Sequence, residues 1–231
     1  MPAAIIITTT TIMSTADAAA TLRLLAWLSP AFPTGGFAYS HGIEFAVEAG
    51  DIHDAQSARV WIEDVLRFGS ARSDAILLRH AHRSAHNPRA IAELAELARA
   101  TAASRERLLE ATLQGSAFIA AASAWLRLPF KAEVPYAVAV GALAGNAGID
   151  ADAICCGYLQ AFAANLISAA VRLVPLGQSA GLATLAALEP TILVVADATR
   201  SATLDDFGGA CFRSDLSAMR HETQYTRLFR S

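Results

Sequence analysis

Apolar positions along this 231-residue chain recur at helical spacing almost throughout. Leu22, Leu25, Ala26 and Leu28 share a face of a helix that Asp17 can cap and Pro30 stops. A Pro/Gly-rich loop over 29–36 follows, then a helix over about 39–49 ended by Gly50. Asp54 reads as the cap of a third helix, with Val60, Trp61, Val65, Leu66 and Phe68 inward. Ile76, Leu77 and His80 mark a fourth over about 73–85, which Asn87 and Pro88 break. Pro88 suits the first turn of the next, carrying Ile91, Leu94, Ala95 and Ala98. Ser104 opens a helix through Leu108, Leu109, Leu113 and Phe118 to about Trp125. Segments 138–147, 150–174, 182–188 and 191–201 complete the series, and 150–174 is apolar enough for a buried central helix. Strand alternation and hairpin dipeptides are absent. The pattern predicts an all-α, single-domain bundle of about nine or ten helices. A flexible tail is expected over 1–16, the helical domain over 17–204, and a separate C-terminal segment over 205–231.

Composition sharpens this picture. Hydrophobic residues make up 54% of the chain and charged ones 17%, against about 25% charged in an average domain. That excludes disorder and a disulfide scaffold, and leaves a membrane protein or one covered by partners. No uncharged run looks apolar over the roughly 20 residues that a spanning helix needs. Residues 1–13 carry no basic residue, unlike a secretory signal. Three cysteines, two of them adjacent, suit free thiols and a cytoplasmic location. A net charge of −3 gives no basic field for nucleic acid.

Much catalytic chemistry is missing. A phosphate loop needs Gly-Lys-Ser/Thr, and the one lysine among 18 cationic residues, Lys131, follows Phe130. Gly141, Gly145 and Gly148 follow no strand and read as close helix packing and a cap. Ser40 and His41 are neighbours about 100° apart on a helix, so they do not pair as nucleophile and base. His80, His82 and His86 form a metal-like cluster, with His82 and His86 at i, i+4. They support a second reading, a helical metal-dependent enzyme, against a solvated helix end as the plain alternative. No cofactor is otherwise implied.

Two segments stand out. The first, over 29–44, reads SPAFPTGGFAYSHGIE, a constrained loop bearing Phe32, Phe37 and Tyr39. It is either an interface element or a turn whose aromatics enter the core. The second, over 217–231, reads SAMRHETQYTRLFRS, and its Arg and Tyr side chains are favoured interface anchors. If it is a docking tail alone, deleting 219–231 should leave helicity and melting nearly unchanged.

Both segments resemble the signatures of the urease accessory protein family UreF. Arg105-Glu106-Arg107-Leu108-Leu109 and the RLVPLGQ run over 172–178 are similar to the same family. The resemblance spans about 22–231. It implies an all-α homodimer without catalytic activity, an adaptor joining UreD (also called UreH) and the GTPase UreG in nickel delivery to apo-urease. It places Phe32, Pro33, Gly35, Gly36, Tyr39, Ser40, His41 and Glu44 on the UreG side. Met219, Arg220, His221, Glu222, Gln224, Tyr225, Arg227, Leu228 and Phe229 fall on the UreD/UreH side. Neither nucleic acid nor a membrane is an expected partner.

Overall fold

The computed structural model describes residues 14–126 and 133–231. The first helix, α1 (Thr15–Trp27), starts earlier than the pattern suggested. Ser14 rather than Asp17 is its cap: the Ser14 hydroxyl accepts from the Asp17 N–H while the Asp17 carboxylate returns to the Ser14 N–H. Residues 14–16 therefore belong to the helical body, and the expected tail over 1–13 lies outside the described residues. A 3-10 turn over Gly36–Ala38 precedes a short α2 (Ile43–Glu48). Then come α3 (Ala55–Phe68), α4 (Ser70–Arg83), α5 (Pro88–Ala100), α6 (Arg105–Ala122), α7 (Tyr136–Asn146) and α8 (Ala151–Leu173). The described chain closes with α9 (Gln178–Ala198), a 3-10 turn over Leu204–Asp206, and α10 (Phe212–His221). Asp54, Asn87, Ser104 and Asp150 are side-chain caps of α3, α5, α6 and α8. No strand occurs among the described residues.

The core is organised by small residues. A Cβ added at Gly141 would lie 2.1 Å from the Leu78 carbonyl oxygen, and one at Gly145 would lie 2.4 Å from that of His82. Backbone contact of α7 with α4 at that range requires glycine, as the spacing suggested, and it buries Ala137 to Ala144 without a break. Gly148, at φ 68°, ends the series as a left-handed turn. α8 contributes Ile154, Cys155, Leu159, Ala163 and Leu166 to the same core.

Four details depart from the sequence pattern. Leu22 and Leu25 of α1, and Val60 and Phe68 of α3, face outward while Trp61, Val65 and Leu66 are buried. On α6, Leu109 and Leu113 are exposed and Glu110 and Gln114 are buried. Segments 182–188 and 191–201 fuse into α9 with Pro190 inside it. Pro190 sits on the solvent side while Leu188, Ile192, Val195 and Ala196 hold both halves of α9 to the core, so packing outweighs the lost hydrogen bond. Finally, α8 and α9 each hold an 18-residue window of mean hydropathy 1.6, long and apolar enough to cross a membrane by composition alone. The length argument against such a segment therefore fails, although here the two helices pack against each other.

Candidate functional site

The two conspicuous segments meet. The loop over 29–44 is shaped by residues in the left-handed region: Gly35 at φ 74°, His41 at φ 58° and Gly42 at φ 77°. At Gly42 the requirement is double, because a Cβ there would stand 2.5 Å from the Ala218 backbone nitrogen of α10. This tight reversal starts α2 with the Glu44 carboxylate turned toward the C-terminal segment.

Glu44 then serves as an anchor. Its Oε1 accepts the Leu228 N–H at 2.7 Å, and its Oε2 accepts the Phe229 N–H at 2.9 Å. The His221 Nε2 lies 3.1 Å from Glu44 Oε2, and its Nδ1 lies 2.6 Å from Glu106 Oε2 on α6. Both ring nitrogens face carboxylate oxygens, so His221 bridges the acid of α2 and the acid of α6. Arg227 closes the chain of charges on Glu106 Oε1 at 2.6 Å. Glu222 caps α6 itself, accepting the Arg105 N–H at 2.7 Å.

A second layer joins the chain end to the loop. The Arg230 N–H donates to the Ala38 carbonyl at 2.8 Å, and the Ser40 N–H donates to the Ser231 carbonyl at 2.6 Å. The Ser231 hydroxyl donates to Glu110 Oε2 at 2.8 Å. Glu110 also pairs with Arg107, receives Gln114 Nε2 at 2.9 Å, and lies 3.2 Å from His41 Nδ1. Burial alone would raise the Glu110 carboxyl, but Arg107, His41 and the Ser231 hydroxyl hold it at about 2. Burial, reinforced by Arg107, pushes the His41 imidazole down. Outside this network Arg172 stacks 4.2 Å over the Phe229 ring and donates to the Phe37 carbonyl at 2.7 Å.

The expected site residues therefore divide by exposure. Of the first set, Tyr39, Ser40, His41 and Glu44 are buried, and Phe32 stacks on Phe118 and Trp125. Gly36 packs near Asn165 and Gln114, Gly35 is half-buried, and Pro33 is exposed. Tyr39, at 4% exposure, is thus no surface contact. Of the second set, His221 and Phe229 are buried, and Glu222 and Gln224 are held by Arg105 and Glu48. Met219, Arg220, Tyr225, Arg227 and Leu228 face outward. The segment over 205–231 is thus no separate docking tail, since α10 and its extension are anchored in the domain.

Sequence reasoning missed Glu106, Arg107 and Glu110 as site members. Their signal was present in the charged RERLLE run, where Glu106 and Glu110 share a helical face. Phe37, Phe212 and Leu216 are exposed apolar groups that the two expected site sets leave out. The histidine cluster does not assemble. His80 Nε2 bonds the Ala202 carbonyl, His82 Nε2 bonds the Ile149 carbonyl at 2.8 Å, and His86 is exposed. Among the described residues no three His, Cys, Asp or Glu side chains converge as a cation site.

Comparison with known proteins bears on what this interlocked site serves. The UreF family model matches residues 52–189. A urease accessory protein UreF of Mesorhizobium japonicum is 52% identical over 217 residues, covering 92% of this chain and 96% of its own length. One of Cereibacter sphaeroides is 53% identical over 213 residues, with 92% and 99% covered. One of a Bradyrhizobium species is 50% identical over 225 residues, with 94% of each covered. The chain belongs to the UreF family. Membership implies an accessory role in urease maturation. In this UreF-family chain, the loop over 29–44 and the segment over 217–231 form one body.

Proposed function

We propose that this chain is a non-catalytic adaptor of urease maturation. It binds UreD/UreH and the GTPase UreG, regulates GTP hydrolysis by UreG, and supports nickel insertion into apo-urease. It acts as a cytoplasmic homodimer.

One observation carries the reading. The interlocked segments bury Ser40, His41, Glu44, His221 and Ser231, while Phe212, Leu216, Met219, Tyr225 and Leu228 stay outside, with Tyr225 fully exposed. Phe212, Leu216 and Met219 are spaced as one face of α10, an apolar stripe that a protein partner would cover. We assign this stripe, with Arg220 and Arg227, to UreD/UreH. Pro33 and Phe37 carry the contact with UreG, while Tyr39, Ser40, His41 and Glu44 shape the loop from beneath.

An adaptor of this kind works through differential affinity, holding UreG better in one nucleotide state than another. No arginine of this chain enters the GTP site as a finger. Reconstitution with UreD/UreH, UreG and apo-urease tests the reading. Omitting the chain should abolish nickel-dependent activation of urease, and activation without it would refute the proposal. A single Arg-to-Ala variant that lowers UreG turnover about 1000-fold with assembly intact would refute the positioning mechanism.

A further inference from the structure

A cleft of about 1050 Å³ opens beside the Glu110 layer, between α1, the loop over 29–37, α4, α6, α8 and the start of α10. Its charged lining is three carboxylates, Asp74, Glu110 and Asp215, against one guanidinium, Arg107. Arg107 is already committed to Glu110. Neither Asp74 nor Asp215 makes an ion pair among the described residues. The contrast with Glu106, held by the Arg227 guanidinium, is sharp.

Asp74 has one side-chain partner, the Tyr158 hydroxyl at 2.8 Å. Burial pushes the Asp74 carboxyl up to about 6 and raises that of Asp215, the mark of acids held out of water without enough positive charge beside them. Aromatic side chains line the same cleft. The Tyr136 and Tyr158 rings lie 5.5 Å apart, tilted by 42°, and Phe162 lines the same space. A buried polar atom, His41 Nε2, also lacks a partner at this cleft.

A hard metal ion needs several converging oxygen or nitrogen ligands, and the described residues bring no such set together. A carboxylate in a cleft lined by aromatic side chains suits a flat organic cation, which can stack on a ring and offer paired N–H donors to the acid. We infer that the cleft binds a guanidinium group, with Asp74 as its counter-ion and Tyr136, Tyr158 and Phe162 as its walls. This does not depend on the adaptor reading, since no residue of the exposed stripe takes part. The guanidinium belongs either to a free small molecule or to an arginine side chain of a bound protein, and the chemistry of recognition is the same.

Calorimetric titration of the full chain separates these sources and tests the inference. The probes are ethylguanidine, the peptide Gly-Gly-Arg-Gly-Gly, and magnesium chloride at matched ionic strength. Saturable binding of ethylguanidine supports a free ligand, and binding of the peptide alone supports a side-chain donor. Asp74→Asn should weaken either about tenfold, the loss of one charged partner. Binding to the unaltered chain should also strengthen from pH 5 to pH 7.5 as Asp74 ionises, a readout that needs no variant. No saturation by about 10 mM of either guanidinium probe would overturn the inference. So would unchanged affinity in Asp74→Asn, or saturable binding of magnesium in place of the guanidinium probes.

Discussion

His221 lies wholly out of solvent with its Nε2 3.1 Å from Glu44 Oε2, so α10 is tied to an acid of the early loop. Glu106 takes the other ring nitrogen. Removing a buried partner of this kind leaves a carboxylate stripped of compensation, at a cost of about 3–5 kcal/mol. His221→Ala should therefore lower the urea midpoint strongly. Deleting 219–231 should do so further, because Glu44, Glu106 and Glu110 all lose partners. This reverses the expectation that the segment can be removed without thermal effect, and a melt followed by circular dichroism checks it.

Gly42→Ala should act on the same joint from the backbone. The added methyl meets the Ala218 nitrogen at 2.5 Å and the residue must hold φ 77°, so α10 has to move. A loss of about 2–3 kcal/mol is expected, with faster proteolysis at α10. Gly50→Ala, also at positive φ but with open space around it, should cost about 1 kcal/mol.

Exposure separates binding from folding within the chain end. Phe229, 4% exposed beneath Arg172, should cost about 3–4 kcal/mol of stability when changed to Ala. Tyr225→Ala and Leu228→Ala should leave the melting temperature within a degree or so and weaken capture of UreD/UreH by about tenfold or more. Equal melting losses in all three variants would show that the exposed set is structural.

Acid should loosen the Glu110 layer and base should burden Asp74. Glu110 sits below its ordinary value, so its contribution is present above about 4.5 and lost as pH falls toward 2. Asp74 sits above its ordinary 3.8, so the folded state holds an extra proton and stability declines as pH rises from about 4 through 6. Asp74→Asn should recover up to about 3 kcal/mol at pH 8 and nothing at pH 3. Urea titrations at the two pH values read the difference.

The helices were legible because their caps and breakers are local. Asp54, Asn87-Pro88, Ser104 and Asp150 each act within a few residues. What distance decides was not legible. Glu110 and Gln114 turn inward, and Leu109 and Leu113 outward, because acceptors are needed for Ser231 and a counter-ion for Arg107 more than 100 residues away in one case and beside it in the other. Pro190 misled because its ring happens to face solvent on a helix packed from both ends. Tyr39 and His41 lay in the right segment but on its inner side, since left-handed turns at His41 and Gly42 reverse the direction a continuous helix would have given them.

The backbone seam between 38–40 and 230–231 has a consequence for synthesis. A ribosome delivers residues in order, at about 5–20 per second. Glu44 is made early, and its partners at 221, 228 and 229 some 180 residues later. For roughly ten seconds or more the nascent chain holds an acid with no counter-charge and a loop with no strap. The early loop and α2 therefore cannot settle into their final arrangement until residues 221–231 have been made, and a fault in that stretch is felt among the first fifty residues.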